Sequence, residues 1–142
     1  MTDSLLVEFE VAVSPAHAFS VWTERLATWW PSAKTVSGGP DALAFEPYVG
    51  GRIVETGPDG AEHTWGEVLA WEPPHRLAFT WHLFFEPAEA TEVSLTFTAA
   101  GAATLVRLTQ TGFDRLGAAG DARRENTRTT WTTLVQHFCD AV

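Results

Sequence analysis

Residues Gly50 to His82 read GGRIVETGPDGAEHTWGEVLAWEPPHRLAFTWH. Two turn signals divide the stretch, Gly57-Pro58-Asp59-Gly60 and Glu72-Pro73-Pro74-His75. β-type runs separated by such Gly, Pro and Asp clusters predict an antiparallel meander. The same stretch carries Trp65, Trp71 and Trp81. A sheet face bearing that much aromatic surface needs a cover, and the space beneath a cover is where a small molecule can sit.

Upstream, Leu5 to Val13 alternates, with Val7, Phe9, Val11 and Val13 on one side and Glu8 and Glu10 on the other. That period of two predicts a half-buried strand. Ser14-Pro15 reads as an N-cap followed by proline at the first helical position. Phe19, Trp22, Leu26 and Trp29 recur at helical spacing, predicting one helix that Pro31 stops after Trp30. Ser32 to Ala42 is expected to be a loop.

Further strands are expected near Leu43–Tyr48, Arg52–Thr56, Glu62–Trp71, Arg76–Phe84, Thr91–Ala99 and Thr104–Thr111. Leu77, Phe79 and Trp81 share one face, as do Val93, Leu95 and Phe97, and Val106, Leu108 and Gln110. Glu62–Trp71 has no clean phase, because Trp65, Leu69 and Trp71 oppose Val68 and Ala70; a bulge would reconcile them. After a small, polar stretch from Gly112 to Gly120, Asp121 is expected to cap a helix running to about Asp140, with Trp131, Leu134, Val135 and Phe138 as its apolar stripe. The order strand, helix, six strands, helix predicts an α+β fold with an antiparallel sheet of about seven strands. The last helix is the one long element available to cover the sheet.

A chain of 142 residues is expected to form one domain, 1–142. Eighteen acidic residues against nine basic ones give a net charge of −9. Like-charge repulsion then argues against nucleic acid and anionic membrane surfaces as partners. Cys139 is the single cysteine, so no internal disulfide can form and a reducing cytoplasm is the expected location. The start Met1-Thr2-Asp3-Ser4 lacks the features of a signal peptide. No apolar run approaches the roughly 18 residues of a membrane helix.

The five histidines are scattered, with no HExxH or CxxC spacing, no G-x-S-x-G and no phosphate loop. Neither a metal nor a cofactor is therefore expected. A homodimer is the default among soluble oligomers.

Further features run from end to end: the helix text Phe19 to Pro31 with its Trp29-Trp30-Pro31 ending, Gly50-Gly51-Arg52, Gly66-Glu67-Val68, Glu72-Pro73-Pro74 with Arg76-Leu77, Thr80-Trp81, Thr91-Glu92-Val93 and Thr104 to Leu108. In their order and spacing the chain resembles the SRPBCC (START-like, helix-grip) superfamily. Within it, the chain is similar to the branch of activators of the heat-shock protein 90 ATPase. Gln110 stands where relatives often carry histidine, and Thr130-Trp131 stands where they often carry Gly-Trp. The resemblance implies a curved sheet wrapped around a long C-terminal helix, a short helical segment after strand 1, and a cavity between sheet and helix. It does not imply one chemistry.

The expected cavity residues are the aromatic Trp22, Trp30, Phe45, Trp65, Phe79, Trp81, Phe97, Trp131 and Phe138, with the polar Arg52, Glu67, His82 and Gln110 among them. Against this stand plainer readings. In these the rings fill the core, Arg52 pairs with Glu67 or Glu55 at a rim, and His82 faces solvent at a strand end. Three functions follow in order. The first is a protein that binds an apolar or aromatic small molecule. The second is a cyclase or dehydratase moving protons through Glu67, His82 or Arg52. A chaperone-interaction module comes last.

Overall fold

The alternating and helical patterns resolve into seven strands and three helices in the computed structural model, which describes residues 4–142. The strands are β1 (Leu5–Val11), β2 (Ala42–Phe45), β3 (Arg52–Thr56), β4 (Glu62–Glu72), β5 (Arg76–Trp81), β6 (Thr91–Ala100) and β7 (Ala103–Thr111). They form one antiparallel, curved sheet in the order β1-β7-β6-β5-β4-β3-β2. The helices are α1 (Pro15–Thr23), α2 (Leu26–Trp29) and α3 (Gly120–Ala141). The fold is α+β, with α3 lying across the sheet as the helix-grip arrangement requires.

Strand β4 carries two irregularities rather than the single expected bulge. Against β3, Ile53 is level with Gly66 and Val54 with Thr64, so Trp65 is the additional residue. Against β5, Val68 is level with Phe79 and Ala70 with Ala78, so Leu69 is additional. Each extra residue shifts the side-chain phase by one. Trp65, Val68 and Trp71 therefore all face the core side, while Leu69 is exposed.

Four sequence expectations need correction. The single helix through Trp29 is two helices, α1 and α2. Arg25 leaves helical geometry at φ −106°, ψ 22°, and the Trp29 indole folds back to donate to the Val21 carbonyl at 2.9 Å. The apolar stripe survives the break because both pieces bury against the same interior. Strand β2 ends at Phe45, not Tyr48, because the chain turns there, with Tyr48 N–H donating to the Glu46 carbonyl and Gly51 N–H to the Tyr48 carbonyl. Strand β5 ends at Trp81, not Phe84: Phe85 N–H donates to the His82 carbonyl and Phe84 sits at φ 68°. Asp121 lies inside the first turn of α3, and the capping position is Ala119. The residues before it form a short 3-10 segment, Phe113–Ala119.

The C-terminal half of α3 is sealed onto the sheet by rings. Phe138 meets Trp22, Trp29 and Phe9 at centroid distances of 5.0, 5.4 and 5.9 Å. Phe19 meets Phe97 and Trp71 at 5.3 Å each. Burial of each such ring contributes roughly 1.5–3 kcal/mol, so this half is solid core.

Candidate functional site

The N-terminal half of α3 is built differently. Its inward positions are Ala122, Asn126, Thr127 and Thr130, which are too small to fill the space below them. A groove of about 680 Å³ opens there, between α3, the 3-10 segment and the β5–β6 connection around Leu83–Glu89. Its deep wall is aromatic. Trp30 from the end of α2, Trp81 from the end of β5 and Trp131 from α3 meet one another, with centroids 5.7 Å (30–81), 6.1 Å (30–131) and 5.7 Å (81–131) apart. Trp65 supports them from behind, 5.2 Å from Trp30 and 5.8 Å from Trp81.

Three of these four indole N–H groups are committed to the protein. Trp30 donates to the Lys34 carbonyl at 3.0 Å, Trp131 to Gln110 Oε1 at 2.7 Å, and Trp65 to Glu55 Oε1 at 3.1 Å. These rings therefore offer apolar surface rather than hydrogen bonds to anything in the groove, and each is fixed in orientation.

Gln110 is buried and uses both ends of its amide, accepting from Trp131 and donating from Nε2 to Thr91 Oγ1 at 2.7 Å. Gln110→Leu would leave the Trp131 donor without its acceptor. It is expected to cost about 2 kcal/mol, to be read from urea midpoints.

The mouth of the groove is basic. Lys34, Arg115 and Arg123 line it, with Glu89. Arg115 Nη2 donates to the Ala90 carbonyl and Arg123 Nη1 to the Glu89 carbonyl, both at 3.0 Å. The Arg123 guanidinium carbon also lies 3.5 Å from the centroid of the exposed Phe85 ring. Burial lowers the Arg123 pKa and the neighbouring Glu89 raises it, with a net lowering. Arginine nonetheless stays protonated at neutral pH.

Residues 12–139 match the family described as Activator of Hsp90 ATPase homolog 1-like protein. The chain belongs to this family. Among solved structures, the domain is similar to the anthrahydroquino-gamma-pyrone synthase Txn09, at 38% identity over 78% of this chain and 77% of that one, TM-score 0.58. It is also similar to CalC, a self-sacrificing resistance protein from Micromonospora echinospora, at 30% identity over 97% and 92%, TM-score 0.78. An Hsp90 activator from Plasmodium falciparum, PFC0360w, shares the fold at 18% identity over 78% and 73%, TM-score 0.58. None of the curated proteins matches the chain.

In this Hsp90-activator-like domain the expected site residues divide into three groups. Trp30, Trp81 and Trp131 line the groove, with Trp65 and Gln110 directly behind them. Trp22, Phe45, Phe79, Phe97 and Phe138 are buried in the core and do not line it. Arg52, Glu67 and His82 line a separate, shallower groove of about 470 Å³ with Thr64, Gly66 and Thr80. Strand alternation puts them opposite Ile53, Val68 and Trp81, on the other face of the sheet, so they do not project toward the interior as expected. None of the hydrogen bonds among the described residues joins these three.

The pairing of Arg52 is also corrected. It bonds Glu46 at 3.4 Å and Glu62 at 3.5 Å, partly exposed, instead of Glu67 or Glu55. The side-chain hydrogen bond to Glu46 raises the Arg52 pKa, and the bond from the Arg52 backbone N–H lowers that of Glu46.

Arg115, Arg123 and Phe85 belong to the groove and were not among the expected residues. For Arg123 a signal existed: stepping back from Leu134 through Trp131 and Thr127 by three and four residues reaches it. Arg115 and Phe85 lie in irregular segments that carry no period.

Proposed function

We propose that this domain binds an apolar or aromatic small molecule in the groove beneath the N-terminal half of α3. The observation that carries this reading is the convergence of Trp30, Trp81 and Trp131, from three separate elements, on one open space of about 680 Å³. That volume lies within the range of small-molecule sites, and the wall has the apolar character of such sites. Two relatives at 30% identity or more support it: one is a synthase whose name denotes a fused aromatic product, the other a resistance protein. A cyclase-like reading takes support from the first relative alone, and its acid–base groups would have to be sought in the groove rather than at Arg52, Glu67 and His82.

Calorimetric titration with neutral fused-ring aromatics such as anthracene-2-carboxamide tests the binding reading. Binding with a negative heat-capacity change is expected. Trp81 is the half-buried member of the indole set, so Trp81→Ala disturbs the core least. It is expected to weaken binding about tenfold or more. Absence of binding across the panel, or unchanged affinity in Trp81→Ala, would count against the proposal.

A further inference from the structure

The mouth of the groove departs from the charge balance of the chain. Three of its nine Lys and Arg residues line the groove, Lys34, Arg115 and Arg123, against one of its eighteen Asp and Glu residues, Glu89. Of the six described arginines elsewhere, five are paired: Arg52, Arg76, Arg107, Arg124 and Arg128 each lie within 4 Å of a carboxylate, and the exposed Arg25 is the exception. Among the described residues no such ion pair involves Arg115 or Arg123. Each makes a bond to a backbone carbonyl of the β5–β6 connection, Ala90 or Glu89, which places both guanidinium groups at the same wall. A guanidinium has five N–H donors, so a bond to one carbonyl leaves donors for another acceptor.

Resting on the reading of this groove as a small-molecule site, we propose that its ligand is an aromatic acid. The fused rings lie on the indoles, and a carboxylate or phenolate is held at Arg115 and Arg123. The indoles supply no charged donor, and the N–H groups of Trp30 and Trp131 are already used within the protein. Charge-assisted recognition of an anion therefore falls to the rim, where planar guanidinium groups suit a carboxylate. An acidic chain that collects cations at one concave place attracts anions to that place against its overall field.

The test is a pair of probes matched in shape, anthracene-2-carboxylate and anthracene-2-carboxamide, titrated at low ionic strength. The readout is the ratio of their dissociation constants. The carboxylate is expected to bind about tenfold tighter, and the ratio is expected to fall toward unity in Arg115→Met/Arg123→Met. Raising sodium chloride to about 0.5 M should compress the ratio in the unaltered protein too, because the rim is solvent-accessible and salt screens it. This second measurement serves if the double variant folds poorly. Equal affinities in the unaltered protein, or a ratio that survives both arginine replacements, overturn the charge assignment while leaving the groove as a binding site. If neither probe binds, the reading of the groove falls, and this proposal with it.

Discussion

Glu55→Ala is expected to lower folding stability by about 3–5 kcal/mol, since hydrogen bonds to a charged acceptor are each worth roughly 1.5–3 kcal/mol and their losses do not add fully. Glu55 is fully buried. Its carboxylate accepts from Val36 N–H at 2.8 Å, Ser37 N–H at 2.7 Å and Trp65 Nε1 at 3.1 Å. Alanine would strand all three donors and free both the loop and the indole behind the groove. Burial pushes the Glu55 pKa up, but the bonds from Ser37, Val36 and Trp65 outweigh it and hold the group below its usual 4.5.

The sign follows from linkage. A carboxyl whose pKa is depressed in the folded state adds stability above its unfolded pKa and loses it as pH falls through the folded value. Urea midpoints followed downward from neutral pH should therefore drop more steeply in the unaltered protein than in Glu55→Ala. Parallel acid limbs, or a loss under about 1 kcal/mol, well short of what charged hydrogen bonds supply, would refute this account.

Gly66→Ala is expected to cost about 3 kcal/mol or more, at the upper end of overpacking penalties. A Cβ on Gly66 would overlap the Thr80 carbonyl oxygen and stand 2.7 Å from its carbon, and both are backbone atoms that cannot swing aside. The two strands approach this closely where Glu67 N–H bonds Thr80 Oγ1 at 2.9 Å and His82 N–H bonds the Trp65 carbonyl at 2.8 Å. Any relief must move β4 from β5, and so Trp65 from Trp81. Guanidinium unfolding should show the loss, and calorimetry should show weaker binding of the aromatic probes. A variant as stable as the parent would mean that the strands part freely.

The fold was legible because its signals are periodic. Val93-Leu95-Phe97 and Val106-Leu108-Gln110 alternate without interruption and are buried as read, and the stripe from Trp131 to Phe138 is the buried face of α3. Errors gathered where composition and backbone geometry part company. Leu83-Phe84-Phe85 looks like strand by hydrophobicity, yet Phe84 adopts a positive φ and the chain turns. Alternation also carried the truth about Arg52 and Glu67, which oppose inward Ile53 and Val68, but the two β4 bulges hid the phase.

The indole part of the groove could be read from residue type. Its basic part could not, because Arg115 and Arg123 reach the mouth through tertiary bonds to the backbone of Glu89 and Ala90. Glu55 was legible only as a charge; its burial depends on a loop, 35–39, whose path no pattern specifies.

Six indoles, Trp22, Trp29, Trp30, Trp65, Trp81 and Trp131, form a continuous chain of contacts with centroids 4.9–6.1 Å apart. Chromophores so close and so rigidly set exchange excitation and couple their transitions. Light absorbed anywhere in the chain can thus reach Trp81, its most solvent-accessible member. The domain carries its own optical gauge of occupancy: a guest against that one ring would alter the near-ultraviolet signature of the whole set.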